Sequence, residues 1–155
     1  NKSLECLAVP PPGSMLAGEL IAITERSLDA YGNHRSYLFD GDKVARFAVR
    51  RSDGFDVSDC TILPPADLLL LERSYSRLRN IRMRIRRIPL ANIKPGTVVD
   101  GKVLIVADFA YQIDNMEGIA VHRNANGETI LTLVSDDNFS FFQRNLLLQF
   151  ALVGE

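Results

Sequence analysis

The sequence has little of what the commonest hydrolytic and binding machineries require. Histidine occurs only at His34 and His122, each in a strand-like stretch without a patterned partner, and there is no Gly-x-Ser-x-Gly turn. A serine or cysteine triad is therefore not the expected chemistry. Cys6 and Cys60 are the two cysteines; they lack zinc-site spacing and the charged surroundings of a reactive thiolate. No apolar run approaches the 18 residues of a membrane-spanning helix. A formal net charge of -1 gives no overall pull toward nucleic acid. The one basic stretch, Arg77–Arg87, has no aromatic residues between its arginines, so it offers no stacking platform for bases. Heptads, low-complexity tracts and a signal-peptide pattern are also missing.

What remains is ordinary globular composition, 46% hydrophobic and 24% charged, in a length that suits one domain with a real core. Short strands dominate. Residues 4–9 and 19–25 read as paired strands joined by Pro10-Pro-Pro-Gly13-Ser14, a connection rich in turn chemistry. His34–Phe39 and Val44–Val49 flank Asp40-Gly41, whose glycine supports the positive φ of a tight hairpin. The pattern then repeats. Asp59–Leu63 precedes Pro64-Pro65 and the continuous apolar run Leu68–Leu71, which suits a strand covered on both faces. Residues 79–88 alternate strictly, with Ile81, Met83 and Ile85 on one side and Arg82, Arg84 and Arg86 on the other. That period of two predicts a half-exposed strand whose arginines face solvent. Leu90–Thr97 reads as loop and Lys102–Phe109 as strand, with a short helix as its alternative. A third unit follows Asn115-Met-Glu117, with a turn at Asn124–Gly127 and strands at Ile130–Ser135 and Asn145–Val153.

The expected fold is all-β, a β-propeller-like array of about three four-stranded antiparallel blades, with repeats at roughly 1–54, 55–112 and 113–155 in a single domain. Cys6 and Cys60 fall at like positions of consecutive repeats, so their side chains should point the same way. Free, buried thiols are expected. An acid also opens each repeat (Glu5, Asp59, Glu117), and these would form part of a ring lining a channel. Glu25, Glu72 and Asp136 end the neighbouring strands. Converging carboxylates need a proton or a cation between them, and several hard oxygen ligands suit Ca²⁺. The other reading is that each acid caps a turn or pairs with an arginine. Arg26 and Arg73 follow two of these acids and would either clamp an anionic ligand or pair with a neighbouring blade. Three blades cannot close a ring, so the apolar flanks at Leu7 and Val9 and at Leu146, Leu148 and Phe150 should be covered either by a missing N-terminal half or by a second copy, and a homodimer that completes the propeller is the favoured expectation.

Several stretches resemble the phytase-like family, also called "esterase-like activity of phytase". They are Asp114-Asn115-Met116-Glu117-Gly118-Ile119-Ala120, Leu133-Val134-Ser135-Asp136-Asp137-Asn138-Phe139 with Gln143 following, and Leu146–Phe150; Val57-Ser58-Asp59 and Leu71–Ser74 resemble its middle section. The resemblance covers nearly the whole chain and about the C-terminal half of the family's domain. It implies a propeller-like fold in a bacterial protein that is periplasmic, secreted or attached to the envelope. It also implies hydrolysis of a phosphoester or other ester carried by a small anionic substrate. By analogy with calcium-dependent propeller phytases, Glu117, Asp136 and Asp137 would be the catalytic acids. Glu5, Asp59, Glu117, Asp136 and Asp137 would hold Ca²⁺, and Arg26, Arg73 and Asn138 would bind substrate. The competing expectation is a non-catalytic propeller that binds a ligand or partner in the bacterial envelope.

Overall fold

A computed structural model describes residues 3–76, 80–141 and 143–154. The described residues are all-β apart from two single 3-10 turns. Twelve strands form three sheets and no closed barrel. The first sheet contains β1 (Leu4–Ala8), β2 (Leu20–Leu28), β3 (His34–Asp40) and β4 (Lys43–Val49), antiparallel in chain order. The second contains β5 (Asp56–Leu63), β6 (Asp67–Ser76), β7 (Asn80–Pro89) and β9 (Lys102–Asp108). The third contains β10 (Met116–Arg123), β11 (Thr129–Ser135) and β12 (Leu147–Ala151). The all-β expectation therefore holds, and so do its hairpins.

One connection departs from expectation. The stretch expected to be loop after β7 makes a 3-10 turn at Leu90–Asn92, and the chain then crosses to the first sheet. There β8 (Val98–Val99) adds a short parallel edge beside β4 before β9 returns to the second sheet. Two residues are too few for a pattern of alternation to announce.

The first strands of the sheets pack in sequence, β1 against β5 and β5 against β10. Two cores result. Ile21, Ile23, Val57, Leu68, Leu70 and Ile88 fill the space between the first and second sheets. Leu69, Leu71, Met83, Ile85, Ile119, Leu131 and Leu133 fill that between the second and third. The second sheet is thus covered on both faces, which is why Leu68–Leu71 can be apolar without interruption.

The same sandwiching overturns the expectation of a solvated arginine face. The alternation along β7 is real, but its second face lies under the first sheet. Arg84 and Arg86 are 2% and 1% exposed. Both donate to the fully buried Glu72, at 2.8 and 3.0 Å from Arg84 and 2.8 and 2.7 Å from Arg86. Arg86 also reaches Asp100 and the Arg50 carbonyl, and Arg84 reaches Ser52 and Asp53. Burial alone would lower the Arg86 pKa, but Glu72 and Asp100 outweigh it and hold the guanidinium above its ordinary value. Arg77 and Arg79 lie outside the described residues.

The cysteines are also not free. Cys6 and Cys60 form a disulfide between β1 and β5. The reason is a bulge in each first strand, between Leu4 and Cys6, between Val57 and Asp59, and between Met116 and Gly118. Counted from the bulge, Cys6 corresponds to Asp59 and Gly118, while Cys60 stands one residue further on. A shift of one residue reverses the face. Cys6 and Cys60 therefore face each other across the gap between sheets instead of pointing the same way.

Candidate functional site: an arginine-lined cleft

The bulges also correct the second strands. Thr24, Glu72 and Ser135 stand opposite the residue before each bulge. One position further on are Glu25, Arg73 and Asp136. Glu25 and Arg73, rather than Glu25 and Glu72, are thus equivalent in adjacent sheets. Arg73 Nη2 donates to Glu25 Oε1 at 3.2 Å, while Arg73 Nη1 donates to Asn115 Oδ1 at 2.6 Å and to Glu117 at 2.5 Å. The Asn115 amide donates to the same Glu117 oxygen. Burial by itself lowers the Arg73 pKa; Glu117 and Glu25 more than offset that and raise it. Three sheets are tied at one end by this guanidinium.

That end opens into a cleft of about 750 Å³. Strand ends and connections from all three sheets line it. Glu25 and Arg26 come from β2, and Arg51, Asp53 and Asp56 from the stretch that enters β5. Arg73, Ser74 and Tyr75 end β6, Ile81 and Arg82 begin β7, and Asn115, Asn138 and Gln143 flank the third sheet. Four arginines and three carboxylates line it, and Glu117 pairs with Arg73 from beside the lining, so most of the guanidinium groups are held in place by acids. Arg26 and Arg51 share Asp56, at 3.3 and 2.6 Å. Arg82 Nη2 reaches the Asp53 carbonyl at 3.2 Å and Ser74 Oγ at 3.3 Å, and its guanidinium lies over the Phe55 ring. Two polar atoms of the lining are buried without a partner, the acceptor Glu25 Oε2 and the donor Arg82 Nε. Unpaired buried polar atoms are costly and mark a place where a ligand or water is owed.

The structure brings Arg26, Arg73 and Asn138 to one cleft. It does not gather the acids. Glu5 accepts from Ser3 at the start of β1. Asp59 Oδ2 accepts the Ile119 backbone N–H at 2.7 Å and so links β5 to β10. Burial raises the Asp59 pKa, the Ile119 and Cys60 N–H groups oppose that, and Glu5 adds to it. Glu117 is committed to Arg73 and Asn115. Asp136 accepts the Asn138 N–H at 3.2 Å, and Asp137 accepts the Phe139 N–H at 2.9 Å and the Asn145 amide at 2.9 Å. Since Glu5, Asp59 and Glu117 do not stand at one register position, they form no ring. Among the described residues no three His, Cys, Asp or Glu side chains converge on a metal position. Acids so spent do not fit calcium, which takes six to eight oxygens around one point.

Sequence reasoning missed Arg51, Arg82 and Asn115 as cleft residues. The clustering of Arg50, Arg51 and Asp53 between β4 and β5 is a signal, but burial of the second sheet decides which arginines stay near solvent.

The family model for phytase-like proteins, described as esterase-like activity of phytase, matches residues 1–139. The chain belongs to the phytase-like family. The match contains Arg26, Arg73, Glu117 and Asn138 and ends before Gln143 and the Leu146–Phe150 stretch. Searches of curated proteins and of solved structures returned no match. The disulfide of this phytase-like chain suits an oxidising compartment, extracellular or periplasmic. No helix among the described residues is long and apolar enough to cross a membrane.

Proposed function

We propose that this phytase-like chain is a hydrolase domain for a small anionic ester, a phosphoester above all, bound in the arginine-lined cleft. The carrying observation is that Arg26, Arg51, Arg73 and Arg82 converge there from separate elements, with Arg82 Nε lacking a partner. Guanidinium groups recognise phosphate and carboxylate oxygens through paired N–H donors. Arg73 is already oriented by Glu25, Asn115 and Glu117, so little of its freedom is lost when a ligand arrives.

Glu25 is the base in this reading: its carboxylate belongs to the cleft wall, and a water that enters the cleft beside the buried, unpaired Oε2 gives that oxygen its partner. A water attacks the ester centre, its proton passes to Glu25, and the bond to the leaving oxygen breaks as that oxygen takes a proton from solvent. Positioned proton transfer contributes roughly 10²–10⁴ in rate. Glu117 holds Arg73 and takes no proton. Asp136 and Asp137 shape the loop that carries Asn138. No step passes through calcium. The family and the disulfide together support a bacterial periplasmic or secreted protein.

Turnover of p-nitrophenyl phosphate and p-nitrophenyl acetate, in EDTA and then with added calcium, tests the proposal. Hydrolysis in EDTA that Glu25→Gln lowers at least about 100-fold in a folded protein is expected. Strict dependence on calcium would restore the metal-assisted reading. A melting temperature raised by phosphate without turnover would make the domain a binding module.

A further inference from the structure

The four arginines of the cleft are not equivalent. Arg26 and Arg51 both turn Nε to Asp56, and Arg73 lies between Glu25 and Glu117. Arg82 bonds only to neutral oxygens, the Asp53 carbonyl and the Ser74 hydroxyl. The carboxylate of that same Asp53 is taken by Arg84, whose Nη1 donates to Asp53 Oδ2 at 3.3 Å and to Ser52 Oγ at 2.9 Å.

The local backbone imposes this division. Asp53 and Gly54 both have positive φ, 55° and 73°, in a turn closed by the Phe55 N–H on the Ser52 carbonyl. For an aspartate that conformation is uncommon and persists where the surroundings hold it. The turn gives its Asp53 carbonyl to Arg82 and its Asp53 carboxylate to Arg84. Phe55 follows, 2% exposed, with the Arg82 and Arg84 guanidinium groups over its ring at 4.8 and 4.4 Å from the centroid. A ring face attracts a cation without neutralising it. Arg84 is fixed in turn by the buried Glu72. Arg82 is thus held in place while its charge stays uncompensated, and its Nε is buried without a partner. A partly buried guanidinium in that state is unfavourable, and an anion relieves it.

Resting on the anion-ester reading of the cleft, we infer that Arg82 is its specificity-determining charge: the anionic oxygens of the substrate sit at this guanidinium. Arg26, Arg51 and Arg73 brace the walls, with most of their charge already spent on acids.

Calorimetric titration of methyl phosphate into two pairs of variants tests this. It is run at about 0.15 M salt, where charges more than about 8 Å from the anion are largely screened. Ser74→Asp puts a carboxylate beside Arg82 and should weaken binding roughly 10- to 100-fold relative to Ser74→Asn, which has the same size without the charge. Arg82→Gln should weaken binding at least about tenfold more than Arg51→Gln. Equal affinities in the Ser74 pair, or equal losses in the arginine pair, would overturn the inference and leave the arginine cleft standing. If Ser74→Asp does not fold, the arginine pair decides alone. If folded wild-type protein does not bind methyl phosphate, the anion-ester reading itself fails, and the inference with it.

Discussion

Removing the disulfide should cost this chain a large part of its stability. Cys6 and Cys60 are 54 residues apart and tie the first strands of two sheets. A cross-link over that separation removes about 14 cal/mol/K of unfolded-chain entropy, or ~4 kcal/mol at 25 °C, in the loop-closure treatment. Domains of this size have roughly 5–15 kcal/mol in all. The double variant Cys6→Ala/Cys60→Ala also deletes two buried sulfur atoms from the core between the first and second sheets, so the loss should not fall below the entropic figure. Urea unfolding of wild type, oxidised and reduced, and of the variant is the assay. The reduced protein and the variant should both unfold at much lower urea than the oxidised one. An oxidised sample with two titratable thiols, or coincident unfolding curves, would refute the reasoning from the bulged register.

Three further outcomes follow from the buried charges. Glu72→Gln should destabilise by roughly 3–5 kcal/mol, because Arg84 and Arg86 stay buried with half their partner charge gone; thermal unfolding checks it, and a change under about 1 kcal/mol would return those arginines to solvent. His34 is fully buried, and burial lowers its pKa against the pull of Glu72, Asp56 and a hydrogen bond to the Glu25 backbone. Its unfolded form protonates below about 6.5 while the folded form stays neutral, so stability is full above that pH and falls as pH drops toward the folded value; His34→Leu should flatten melting temperature between pH 7.5 and 5.5. Asp59 has a raised pKa, so its charge opposes folding above that value, and the stability of the protonated form is lost as pH rises. Asp59→Asn keeps an oxygen for the Ile119 N–H and should leave the protein as stable or more stable at pH 7, with or without calcium.

The sequence makes the strands legible because their signals are local. Asp40-Gly41 marks a hairpin, Leu68–Leu71 a doubly covered strand, and the alternation through Arg82–Arg86 a strand with two distinct faces. What covers each face is not local. Nothing in the β7 stretch says that the first sheet lies over its arginines, and the mate of Glu72 is recognisable only once that burial is seen. The bulges are the second gap. Each inserts one residue, which barely alters composition but exchanges the faces beyond it. Aligning Glu25-Arg26-Ser27 with Glu72-Arg73-Ser74 by type therefore pairs the wrong residues; backbone register pairs Glu25 with Arg73. Arg26, Arg73 and Asn138 come to one cleft because Arg26 and Arg73 lie near the ends of β2 and β6 and Asn138 follows β11.

The central claim is that the cleft at the ends of β2, β6 and β11 receives an anion. Amide and arginine side-chain NMR signals, followed as methyl phosphate is added at low salt, test it most directly. Saturable shifts are expected at Arg26, Arg73, Ser74, Arg82 and Asn138, weakened by added salt and by Arg82→Gln. Shifts clustered on another surface, or none at these residues in a folded protein, would contradict it.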